Sequence, residues 1–202
     1  VFTGADLATS AVNAFQSPVT FDSVVLDPTC GAGNLLIACS RKLGVESTLS
    51  ATLEKWGSVL WGYDLYESFV EATRLRIVIE ALYRGVKKDC SIDDALEFLG
   101  NIKCRDALTV SSEELVQVTH AIMNPPFTIW ASPREHYWKN GKVNAAGVVF
   151  DKYLRALPQG CHISAVLPAV LRSGSRYEGF RRFVTSQFEA NCAVWGRFNT
   201  KT

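Results

Sequence analysis

Asp27-Pro28-Thr29-Cys30-Gly31-Ala32-Gly33-Asn34-Leu35-Leu36 is the stretch that decides the fold. It follows an apolar, β-branched run and opens a helical one, so it reads as a tight strand-to-helix turn. Gly31 and Gly33 permit such a turn and let a ligand approach the backbone closely. Taken alone, the two glycines fit a purely structural turn equally well. A dinucleotide is the main rival ligand, and two features disfavour it. Its fingerprint wants a third glycine where Leu36 stands, and an acidic residue about 20 positions further on; Asp64 lies farther away. A carboxylate at Asp27 would repel a pyrophosphate, but it suits a ligand that carries an amine and a sulfonium.

Outward from this turn, short β-branched runs alternate with longer helical segments. That alternation predicts an α/β fold, a doubly wound, mostly parallel, Rossmann-like sheet with helices on both faces. Strands are expected over 24–27, 59–64, 102–105, 121–124, 163–167 and 192–195. Helices are expected over 5–15, 34–43, 68–84, 92–99, 145–157 and 177–187. In the third helix Phe69, Ala72, Leu75, Ile79, Leu82 and Tyr83 recur at helical spacing and predict its apolar face. Ser91 and Asp94 form a capping-box pattern for the fourth. The segment 128–145, with Gly, Pro, Asn and mixed charge, is expected to be a long surface loop.

Several strands end in a polar residue: Asp27, Asp64, Arg105-Asp106 and Asn124. In open parallel sheets, ligands bind beyond the carboxyl ends of the strands. A single Asp there would pass for a solvated helix cap. Three at successive strand ends, in register with a glycine turn, point to a crevice. Asp64 can accept both hydroxyls of a ribose, and Asp106 can accept a hydrogen bond from an adenine amine.

Asn124-Pro125-Pro126-Phe127 closes the fourth strand. A proline turn ending a strand explains the prolines but not the combination. An aromatic amine is a poor nucleophile because its lone pair is delocalised into the ring. If Asn124 Oδ1 and the Pro125 carbonyl both accept its hydrogens, the nitrogen is held tetrahedral with its lone pair free. Consecutive prolines fix φ and offer no competing amide donor. Phe127 offers a face on which a flat base, flipped out of a duplex, can stack. The product amine becomes acidic and loses its proton afterwards, so no general base is required.

The bulk properties are compatible with this chemistry. The chain has 202 residues, which suits one domain over 1–202, and its formal net charge is only +1. Composition therefore does not announce a nucleic-acid partner, which would need a local basic patch. Basic residues gather at Arg134, Lys139 and Lys142, among Trp130, Tyr137 and Trp138, and again at Arg172, Arg176, Arg181 and Arg182. The six cysteines form no Cys-x-x-Cys pair and sit at no metal-ligand spacing with the three histidines, so no metal site is expected. Scattered cysteines and the lack of a signal peptide or a spanning apolar run suggest a reduced, cytoplasmic protein with no membrane partner. The first residue is not Met, which suggests a truncated chain.

These motifs together resemble the N6-adenine DNA methyltransferases, especially the modification subunits of type I restriction systems and related type II enzymes. Asp27–Leu36 is similar to that family's cofactor loop, Gly62-Tyr63-Asp64 and Arg105-Asp106-Ala107 to its ribose and adenine contacts, and 124–127 to its catalytic tetrapeptide. Phe2-Thr3-Gly4 looks like its amino-terminal motif, with Gly4 where the family usually has Pro. Phe150-Asp151-Lys152-Tyr153-Leu154, Val166-Leu167-Pro168 and Arg181-Arg182-Phe183 add to the likeness. The resemblance implies S-adenosylmethionine held by Phe2, Thr3, Asp27, Thr29, Gly31, Gly33, Asn34, Asp64, Leu65, Asp106 and Ala107. It implies catalysis by Asn124, Pro125, Pro126 and Phe127. It implies a seven-stranded sheet with one antiparallel strand, and DNA as partner, read through a recognition region or specificity subunit outside this chain. Restriction-modification subunits are implied as further partners. The tetrapeptide is shared by enzymes that methylate cytosine N4, ribosomal RNA guanine and protein glutamine, so those substrates stay open, as does a cofactor-binding subunit inactive on its own.

Overall fold

The structure is a computed structural model that describes residues 3–134, 137–138 and 140–188. Its elements run α1 (Ala5–Asn13), β1 (Val25–Asp27), α2 (Asn34–Ser40), α3 (Leu49–Val59), β2 (Leu60–Asp64), α4 (Glu67–Tyr83), α5 (Ile92–Glu97) and β3 (Ile102–Cys104). They continue β4 (His120–Met123), β5 (Ile129–Ala131), β6 (Lys142–Asn144), α6 (Ala145–Ala156), β7 (His162–Ala165) and α7 (Glu178–Gln187). Five strands form one parallel sheet in the order β3-β2-β1-β4-β7. The expected Rossmann-like architecture is therefore present. Among the described residues every pair in this sheet is parallel; the strand expected over 192–195 lies outside them.

Alternation along the strands sends neighbouring side chains into two cores. Val25, Leu60, Ile102 and Ile122 pack with α1 to α5 on one face. Leu26, Tyr63, Ala121 and Met123 pack on the other with Val149 and Tyr153 of α6. Both faces are covered, as a parallel sheet requires. No helix among the described residues is long and apolar enough to cross a membrane.

Three expectations need correction. Sequence reading missed α3, which runs directly into β2 and buries Leu49, Thr52, Leu53, Trp56 and Val59 at helical spacing. Thr48 caps it by accepting from Ala51 N, so Val59 ends a helix and does not begin a strand. The apolar face of α4 was misassigned. The helix buries Val70, Thr73, Ile77, Val78 and Ala81, whereas Leu75, Ile79 and Tyr83 are exposed. Two periodic apolar sets coexist on this helix, and the set that meets the sheet includes polar Thr73, which a hydropathy reading discounts. The expected loop 128–145 contains the antiparallel pair β5–β6, in which Trp130 faces Val143 and Ala131 faces Lys142. The capping box stands as expected, with Ser91 Oγ accepting from Asp94 N at 3.1 Å.

Candidate active site

The carboxyl ends of β1, β2, β3 and β4 lie along one edge of the sheet, so the chain delivers Asp27, Asp64, Asp106 and Asn124 to the same side. A small cleft opens there, lined by Thr3, Asp27, Thr29, Cys30, Gly31, Ala32, Asn34, Leu35 and Asn124. Five expected cofactor residues and one expected catalytic residue thus share one cavity. Cys30, Ala32 and Leu35 are additions, and their positions inside the glycine turn were the available signal.

Backbone geometry explains the turn. Gly33 caps α2 with φ at +80°, and a Cβ there would lie 2.6 Å from Thr73 Cγ2. Gly31 also has positive φ, at +52°, but has open space beside it. Only glycine enters this region at little cost. Thr73, absent from the sequence reading, donates from Oγ1 to Gly31 O at 2.7 Å and so ties the turn to α4.

Asp27 is 1% exposed. Burial raises its pKa to about 7; the Thr29 amide, 3.1 Å from Oδ1, pulls it down, and the Asp64 charge raises it further. Thr29 Oγ1 is buried at the cleft wall without a hydrogen-bond partner among the described residues. A buried hydroxyl in that state is unusual unless a ligand or water completes it.

Thr3 joins the turn to the tetrapeptide. Its carbonyl accepts from Asn34 Nδ2, and its hydroxyl accepts from Asn124 Nδ2 at 2.9 Å. Asn124 is half-buried, and its Oδ1 accepts no hydrogen bond from the described residues. Pro125 is buried while Pro126 and Phe127 are exposed, Phe127 at 38%. Asn144, also missed, donates from Nδ2 to Phe127 O at 3.2 Å and from its backbone N–H to Tyr177 Oη at 3.0 Å.

The outer acidic residues are partly engaged. Asp64 accepts from Gly31 N and Tyr66 N, each at 3.0 Å. Each carboxylate oxygen keeps a second lone pair, so a diol remains within its capacity. Asp106 caps a short 3₁₀ turn by accepting from Leu108 N at 2.9 Å, and is exposed outside the cleft. Leu65 is 61% exposed. Ala107 is core, and its carbonyl accepts from Tyr153 Oη at 3.0 Å. Phe2 lies outside the described residues. No cluster of His, Cys, Asp and Glu suited to a metal ion occurs among the described residues.

No family model matches the sequence, and no curated protein does. Solved structures do. The type IIG restriction endonuclease BpuSI is similar at a TM-score of 0.62 and 18% identity, over 91% of this chain and 22% of that one. The M protein of the type I restriction enzyme EcoKI is similar at 0.56 and 17%, over 90% of this chain and 37% of that one. The fold is one that these two proteins share. A type I restriction-modification methyltransferase subunit from Streptococcus thermophilus shares this fold with the same TM-score, identity and coverage as the M protein. The chain spans between 22% and 37% of the length of these three structures.

Proposed function

We propose that this chain is the catalytic core of an S-adenosylmethionine-dependent methyltransferase that acts on the N6 amine of adenine in DNA. Its setting would be a restriction-modification system, with target recognition supplied outside residues 1–202. The observation that carries the proposal is the position of Asn124. Its amide nitrogen is held by Thr3, it lines the cleft with an Oδ1 that accepts no hydrogen bond from the described residues, and Phe127, three residues on, is exposed.

The residues fit the cofactor. Thr29 Oγ1, unpartnered among the described residues, can hydrogen-bond to it, Asp27 can answer a cationic amine, and Gly31 has open space beside it for a close approach. Asp64 would take the ribose, and Leu65 and Asp106 the adenine side. When bound, the cofactor supplies a methyl carbon made electrophilic by a sulfonium. Asn124 Oδ1 and the Pro125 carbonyl then hold the two hydrogens of the target amine and aim its lone pair into the cleft. Both acceptors are strongest where the nitrogen gains positive charge, so they lower the barrier and not only the ground state. Phe127 stacks on the base. The extra proton leaves the methylated nitrogen for solvent.

The test incubates the complete protein and its partner subunits with methyl-labelled S-adenosylmethionine and duplex DNA, then separates the nucleosides. Label in N6-methyladenosine's deoxy form is expected. Label in cytosine, in added ribosomal RNA or in protein, with none in adenine, would overturn the proposal.

A further inference from the structure

The charge of this chain divides at the tetrapeptide. Residues 1–127 hold ten Lys and Arg against sixteen Asp and Glu, whereas residues 128–188 hold nine against three. A near-neutral total of +1 thus conceals an acidic cofactor-side segment followed by a basic one.

The fold gathers the basic side chains on one body. Arg134 is exposed in the β5–β6 connection, Lys142 is exposed on β6, and Arg172 is exposed before α7. Arg176 reaches from the turn before α7 to Asn140 O at 3.4 Å, so the two basic segments meet. Asn144 couples this body to Phe127 through the bonds to Phe127 O and Tyr177 Oη. Two of the three acidic side chains in the segment are already paired: Asp151 is buried against Arg155, and Glu178 meets Arg182. Ile129 and Ala131 add exposed surface beside Lys142, while Trp130 and Val143 turn inward.

We propose that Arg134, Lys142 and Arg172 form a shelf that holds the phosphate backbone of duplex DNA next to the nucleotide presented to Phe127. This rests on the function proposed above and extends it to the surface that receives the substrate. Exposed cations on β6, in the β5–β6 connection and in the turn that precedes α7 match a repeating anion, and the exposed ring of Phe127, tied to this body by Asn144, matches a base. Binding through phosphates releases counterions, so its signature is a salt slope.

The experiment measures duplex DNA binding by the complete protein across a salt series, for the wild type and for the triple variant Arg134→Gln, Lys142→Gln, Arg172→Gln. Loss of three phosphate contacts should lower the salt slope by about two to three units and weaken binding roughly tenfold or more at low salt. S-adenosylmethionine affinity and melting temperature should stay at wild-type values. A control variant, Lys55→Gln, Lys87→Gln, Lys88→Gln, removes exposed cations from the acidic segment and should leave the slope unchanged. An unchanged slope in the shelf variant, or an equal fall in the control, would overturn the shelf. So would tighter wild-type binding to an RNA duplex of the same sequence. Binding is read without methyl transfer, so a shelf-dependent slope in a protein that methylates no adenine would refute the proposed function and leave the shelf standing.

Discussion

Asp27 ends β1 with its carboxyl out of water, and burial keeps the proton on it up to about 7. This makes the cleft neutral at mild acid and anionic above it. A cationic ligand needs the anionic form, so S-adenosylmethionine affinity should rise with pH through about 7, and Asp27→Asn should flatten that rise. Calorimetry over the pH series checks it; equal pH dependence in both proteins would remove Asp27 from the site. Stability should move the other way. Between the ordinary value of 3.8 and about 7 the folded chain holds a proton the unfolded chain has lost, so this group's contribution falls as pH rises through that window. At the same scale, the bond between Thr3 and Asn124 spans 121 residues of sequence. The sequence marks both residues as site candidates, but a contact made only by tertiary packing leaves no local pattern to read.

Among the elements, the tie between the hairpin and the turn before α7 is the one that places Phe127. Asn144 caps α6 by accepting from Ala146 N at 3.0 Å, and also donates to Phe127 O. Asn144→Ala should cost about 1–2 kcal/mol of stability, and Tyr177→Phe about 1 kcal/mol, because each leaves a buried polar group unpaired. Thermal or urea melts measure both. Cofactor affinity should be unaffected, since neither residue lines the cleft; a parallel loss of affinity would contradict this division. Elements with strong local patterns were legible in the sequence. The β-branched runs marked β1 to β4 and β7 to within a residue or two, and the glycine turn marked α2. Illegible elements had competing patterns. Ser50, Thr52, Gly57 and Ser58 weaken the helical signature of α3, and β5 and β6 are three residues each inside a Gly- and Pro-containing stretch.

At the scale of the whole molecule, charge divides at the tetrapeptide. Before it, the sheet edge and the glycine turn form a small cleft that holds Asp27; after it, the hairpin, α6 and α7 share a core in a basic segment that Asn144 ties to Phe127. Asn124 sits at the join, where its Nδ2 donates to Thr3 Oγ1. Under the proposed function, binding the methyl donor and transferring the methyl group are separable by one substitution. The decisive measurement compares wild type and Asn124→Ala in the complete enzyme, recording single-turnover adenine methylation and S-adenosylmethionine affinity on the same preparations. The account predicts a rate lower by roughly 100- to 1,000-fold with affinity nearly intact, since Asn124 Oδ1 acts on the reacting amine. Methylation of adenine by Asn124→Ala at the wild-type rate would contradict it.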